Sequence, residues 1–216
     1  MSERINVLGI EINNYTAKEA MQRVVEYMKK DSLQVITRMT PKSIKHLTEE
    51  PEYFSQLEKY EVVLVESKEL LQSAGVLDKQ QIKEMEDQTF LRLFGRYLHK
   101  NQKKVFLLAE TTLLLQEMQN FIMMKFPKIT VEGTLVMEEH AASEDMIVNA
   151  INMADADCII AAVSSPMQEK FVKKYRTALN AKIWMGLGVE FVKKDSESLA
   201  EILRKFVEKN ILKRTI

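Results

Sequence analysis

Short apolar runs separated by amphipathic stretches recur along the whole chain. Residues 5–12 begin the series with Ile5, Val7, Leu8, Ile10 and Ile12, and predict a strand that ends in a turn at Asn13-Asn14-Tyr15. Thr16 and Glu19 then stand at capping-box spacing, and Ala17, Ala20, Met21, Val24, Val25 and Met28 repeat with helical period. Further strands are predicted at 33–38, 61–66, 104–109, 129–131, 157–163 and 183–187. Helices are predicted near 44–47, opened by Pro41, and at 68–74, 77–102, 112–125, 144–153 and 165–179, with a last one at 198–209. Most of the strand runs are apolar throughout rather than alternating, as strands buried on both faces of a parallel sheet are. Strands and helices in alternation predict a three-layer, doubly wound α/β fold with a mostly parallel sheet and helices on both faces.

Composition narrows the picture without changing it. The 216 residues are 46% apolar and 29% charged, in the range of a globular protein that needs no staples, and the single Cys rules out a disulfide framework. No apolar run approaches the roughly 18 residues of a spanning helix, and the first five residues lack the apolar core of a secretory signal. The expected address is therefore the cytoplasm. With 31 basic and 31 acidic residues the formal charge is zero, which supplies no field to attract nucleic acid. Residues 1–195 are expected to form one domain, and 196–216 a C-terminal amphipathic helix with a short basic tail. From residue 193 on there are seven basic residues against four acidic ones, while Leu199, Ile202, Leu203, Phe206 and Val207 form an apolar stripe. That stripe suits packing on the domain or a peripheral membrane or partner contact.

Ligands of an open parallel sheet bind beyond the carboxyl ends of its strands. Those ends are Arg38/Thr40, Glu66/Ser67, Ala109/Glu110, Ser164/Ser165 and Gly186/Gly188. No Walker loop, nucleophile elbow or His pair at metal spacing is present, so neither a cofactor nor a metal is expected. His46, His99 and His140 lie in polar stretches and read as surface residues, and Cys158 sits inside an apolar strand as a small hydrophobe.

Several segments, in order, resemble the WecG/TagA/CpsF glycosyltransferases. They are Val7-Leu8-Gly9-Ile10 with Thr16-x-Lys18-Glu19-Ala20, Lys104-Val105-Phe106-Leu107-Leu108, Ala156-Asp157-Cys158-Ile159-Ile160, Pro166-Met167-Gln168-Glu169-Lys170-Phe171, and residues 181–191 around Trp184, Gly186 and Gly188. The resemblance implies transfer of N-acetylmannosamine or another hexose from a UDP-sugar to a lipid-diphosphate-linked acceptor, with inversion at the sugar carbon. It makes Glu66, standing where the family has an Asp, the candidate catalytic base. The implied substrate-binding residues are Arg38, Thr40, Gln168, Glu169, Gly186 and Gly188. Partners would be the donor, the acceptor and a second copy or another glycosyltransferase. Gln168 also suits a second role, reaching back to start a helix capped by Ser165.

Three positions depart from the family's neutral, glycine-containing pattern: Glu86, Asp87 and Glu110. Converging on one cleft, they would repel a diphosphate. The expected role is thus cell-surface polysaccharide assembly, either as an active transferase or as a catalytically degenerate paralogue that binds without turning over.

Overall fold

The computed structural model describes residues 3–140 and 143–191. The predicted C-terminal helix lies outside the described residues, as does the boundary expected at 195. The first apolar run is a hairpin rather than one strand: β1 (Glu3–Val7) pairs antiparallel with β2 (Ile10–Asn14). Leu8 and Gly9 both take positive φ, 55° and 93°, as a tight two-residue hairpin turn requires, and Asn6 Oδ1 accepts the Gly9 N–H at 2.8 Å. Alternation survives the turn, so Ile5, Val7, Ile10 and Ile12 all face inward.

The remaining elements build the sheet and its cover. In chain order they are α1 (Ala17–Tyr27), β3 (Gln34–Met39), α2 (Pro41–Glu49), α3 (Pro51–Phe54), β4 (Val62–Val65), α4 (Lys68–Ser73), α5 (Lys79–Glu86), α6 (Thr89–Lys100), β5 (Lys104–Ala109), α7 (Thr112–Lys125), β6 (Thr130–Val136), α8 (Glu144–Met153), β7 (Cys158–Ala162), α9 (Met167–Tyr175) and β8 (Ile183–Gly186). The predicted capping box opens α1, with the Thr16 hydroxyl accepting the Glu19 N–H and the Glu19 carboxylate accepting the Thr16 N–H. The long helix expected over 77–102 is two helices. Gln88 enters the left-handed region at φ 51° and turns the chain between α5 and α6. The strand expected at 129–131 extends to Val136 as β6.

Six strands pair in parallel in the order β4-β3-β8-β7-β5-β6. Neighbouring residues on each strand enter opposite layers. Val105, Leu107 and Ala109 of β5 join the layer covered by α1, α6 and α7, while Phe106 and Leu108 join the one covered by α2, α4, α8, α9 and the hairpin. The fold is therefore the expected three-layer α/β arrangement. β8, the last strand among the described residues, lies in the middle of the sheet, where Trp184 is fully buried and packs with its ring tilted against that of Phe171 of α9, centroids 5.8 Å apart.

Two connections leave the sheet in opposite directions. The chain after β5 returns as β6 on the outer side, and the chain after β7 returns as β8 toward the centre. Such a reversal opens a crevice at the carboxyl ends of the two strands.

Phe171 is 1% exposed and rests on both Trp184 and Tyr175. Phe171→Ala is expected to lower the unfolding free energy by about 3–5 kcal/mol, read from denaturant titration of the two proteins.

Candidate functional site

The carboxyl end of β3 supplies the site's central cation. Arg38 is reached by a strand buried along its whole length, so its guanidinium emerges inside the protein with a side chain only 3% exposed. One terminal nitrogen donates to Glu66 Oε2 at 3.0 Å and the other to the Leu187 carbonyl at 3.2 Å. The Nε–H is buried without a hydrogen-bond partner among the described residues. Glu66 follows β4 directly, and its backbone N–H bonds to Met39 O, which holds the carboxylate beside Arg38. Its side chain is 11% exposed.

This ion pair separates two concavities. The first, of about 560 Å³, is bounded by Glu66, the end of β2 at Asn13-Asn14-Tyr15, α5 through Gln81 and Glu84, and the start of α6. The second, of about 370 Å³, opens over β3, β7 and β8 and is lined by Arg38, Thr40, Lys42, His46, Ser164, Ser165, Gln168, Gly188 and Glu190. Thr40 caps α2 by accepting the Ser43 N–H and donates its own proton to Glu190 Oε2 at 3.3 Å. Lys42 stands 3.9 Å from the other Glu190 oxygen. Arg38, Lys42 and His46 thus line a cleft whose lining includes one carboxylate, Glu190. His46, half-buried on α2, stands at the surface on the wall of this cleft. Its spacing of four from Lys42 on a helix opened by Pro41 was the signal available in the sequence.

Gln168 does not reach back to start its helix. Pro166 occupies the N-cap of α9 with no side-chain cap, and the Ser165 hydroxyl donates to Glu169 Oε1 instead. The Gln168 side chain runs inward, donating to Thr37 Oγ1 at 2.9 Å and Glu169 Oε1 at 3.1 Å and accepting the Trp184 indole N–H at 3.1 Å. Its carboxamide lies directly on Gly186. A Cβ there would stand 2.1 Å from Gln168 Oε1, so Gly186 serves this packing and lies beneath the cleft rather than on its wall. Gly188, at φ 68° with open space around its Cα, does line the cleft.

Glu169 also differs from its expected place. It is 1% exposed and lines neither concavity, and burial raises its carboxyl above the ordinary range. Oε1 receives both donors, whereas Oε2 has no hydrogen-bond partner among the described residues. Burial likewise raises the Cys158 thiol, which sits fully enclosed in β7.

The three departing acids do not converge. Glu86 and Asp87 are exposed at the end of α5 and line neither concavity. Only Glu110 meets the crevice, and there its carboxylate accepts the Ser164 backbone N–H at 2.8 Å while its own N–H bonds to Ala162 O. The β5/β7 crevice is thereby bridged by a side chain of the protein itself. Among the described residues no group of three or more His, Cys, Asp or Glu is arranged to hold a metal. No helix among them is long and apolar enough to cross a membrane.

A model of the glycosyl transferase WecG/TagA/CpsF family matches residues 5–192. The chain is similar to the N-acetylglucosaminyldiphosphoundecaprenol N-acetyl-beta-D-mannosaminyltransferase of Staphylococcus aureus strain MRSA252, with 18% identity over 190 residues covering 86% of this chain and 73% of that protein. It is 17% identical, over the same shares, to the proteins of that name from strains NCTC 8325 and COL.

The buried Glu169 carboxyl makes stability fall with pH. Its folded pKa is raised, so the folded state keeps a proton that the unfolded state releases, and the contribution present below the unfolded value near 4.5 is lost as pH rises toward the folded one. Glu169→Gln keeps an acceptor for Ser165 and Gln168 and cannot ionise. Denaturation midpoints of the variant are expected to gain on wild type as pH rises above the unfolded value near 4.5; parallel curves would mean that Glu169 stays unshifted.

Proposed function

The chain belongs to the WecG/TagA/CpsF glycosyltransferase family, and from that premise we propose that it acts in cell-surface polysaccharide assembly by binding a UDP-sugar and passing the sugar to a lipid-diphosphate-linked acceptor. The observation that carries the reading is the Arg38–Glu66 pair, which stands between two adjoining concavities and offers a cation to one and a carboxylate to the other. The donor diphosphate is assigned to the cleft of Arg38, Lys42 and His46, where the free Arg38 Nε–H supplies a buried donor. The acceptor hydroxyl enters from the Glu66 side. Glu66 takes its proton as the oxygen attacks the anomeric carbon, UDP departs on the opposite face, and the configuration inverts. Arg38 offsets the charge that grows on the leaving diphosphate. Thr40, Gly188 and the Gln168 carboxamide shape the donor cleft.

One observation favours a second reading, a binding subunit without turnover. The Glu110 carboxylate takes the Ser164 N–H at the crevice, a backbone donor that a diphosphate would otherwise use. A carboxylate about 4 Å from a phosphate charge, at an effective dielectric of about 20, opposes binding by about 4 kcal/mol before screening.

Calorimetric titration with UDP and UDP-sugars separates the two. As an active transferase, wild type binds the UDP-sugar and releases UDP when a lipid-linked acceptor is supplied. Glu66→Gln is then expected to keep UDP binding and lose transfer by about 10²- to 10⁴-fold. Retention of transfer in Glu66→Gln would remove Glu66 from the mechanism.

Glu110→Gly frees the Ser164 N–H and removes the opposing charge. It is expected to tighten UDP binding by about tenfold or more. An unchanged dissociation constant would mean that the crevice is not where the diphosphate binds.

A further inference from the structure

A third concavity lies on the flank of the molecule, away from the Arg38–Glu66 pair. Arg92, Arg96 and His99 follow one another at spacings of four and three on α6, which sets them on one exposed stripe opposite the buried Phe90, Phe94 and Leu98. Lys125 and Lys128 face them from the end of α7 and the turn beyond it, and together they line a groove of about 630 Å³ that contains no carboxylate. Its floor is the Phe126 ring. That ring reaches the floor because residue 95 is Gly, where a Cβ would stand 2.1 Å from the ring.

Among the described residues the four lysines and arginines of this groove have no acidic partner. Some exposed lysines elsewhere pair with acids, as in Lys170–Glu50, Lys174–Glu144 and Lys182–Asp31. Arg92 donates only to the Thr89 hydroxyl, and neither it nor Arg96, Lys125 or Lys128 forms an ion pair with any described residue. In a chain of zero net charge, a local excess of four cations is a concentrated positive field. Two large apolar side chains adjoin it in sequence: Met123 and Met124, immediately before Lys125, are 67% and 75% exposed. Cations beside exposed apolar side chains suit the interface of an anionic bilayer, where headgroup phosphates meet the cations and the thioethers enter the acyl boundary. A free phosphate would engage the cations and leave the methionines in water.

We propose that the α6–α7 groove docks this protein on an anionic membrane surface through Arg92, Arg96, Lys125 and Lys128, with Met123 and Met124 inserted beside them. The binding is electrostatic in its main part and weakens with salt over a Debye length of about 8–10 Å. It is independent of sugar binding.

The test is co-sedimentation of the purified full chain with vesicles of phosphatidylcholine containing about one third phosphatidylglycerol, and with vesicles of phosphatidylcholine alone. Wild type is expected to sediment with the first and not the second. Removing one cation near an anionic surface weakens binding about fivefold, so Arg92→Gln with Arg96→Gln is expected to weaken it about 25-fold. Met123→Ser with Met124→Ser is expected to weaken it further. All four residues are exposed, and circular dichroism and melting curves verify that the variants fold. Equal sedimentation with both vesicles, or undiminished binding by the Arg92/Arg96 variant, overturns the proposal. So does calorimetric binding of inorganic phosphate that the Arg92/Arg96 variant loses, with no vesicle binding by wild type.

Discussion

A carboxamide that reaches across the sheet holds the ends of three elements together. Gln168 leaves α9, lies on Gly186 of β8, and makes hydrogen bonds to Thr37 of β3, Trp184 of β8 and its own neighbour Glu169. Both of its N–H groups and its oxygen are used, which is what a polar group buried at 3% exposure requires. Thr37 directly precedes Arg38, so this cluster fixes the strand end from which the guanidinium projects. The Leu187 carbonyl that receives Arg38 directly follows β8. The Arg38–Glu66 pair is thus supported by a network anchored in the core, the condition for a charged group to hold one geometry.

The sheet was legible because its physics is local to each strand. Runs such as residues 104–109 and 157–163 are apolar at successive positions, and only burial on both faces accounts for that. The Thr16/Glu19 capping box was legible for the same reason, since both partners lie within four residues. The first run misled because alternation continues through a two-residue turn. Ile5, Val7, Ile10 and Ile12 keep facing the core whether the chain runs straight or doubles back, and only Gly9 marked the reversal. The break at Gln88 carried no glycine or proline, so the pattern over 77–102 gave no sign of it.

Directions of side chains were the harder part of the site. Gln168 stands where a capping residue would, and nothing within its own segment says that Thr37, over a hundred residues earlier, awaits it in the core. Glu86, Asp87 and Glu110 look alike as substitutions of neutral positions. Their fates diverge through tertiary placement, two at a solvent-exposed helix end and one folded onto a backbone amide. Charge in a sequence is a count, whereas its effect on a ligand is set by distance and by what has already accepted it.

The contact between Gly186 and Gln168 makes the two positions a single unit of variation. A methyl group at 186 would meet the carboxamide oxygen at 2.1 Å and the Thr37 hydroxyl at 2.8 Å, so any larger residue there demands a shorter one at 168. Shortening 168 alone leaves a gap over the sheet, with the Trp184 indole and the Thr37 hydroxyl stripped of their partner. Either change alone is penalised and the pair together is tolerated better than their sum, which is the arithmetic of epistasis between neighbours. Drift at this end of the sheet therefore proceeds by compensated pairs, and the glycine and glutamine persist together or change together.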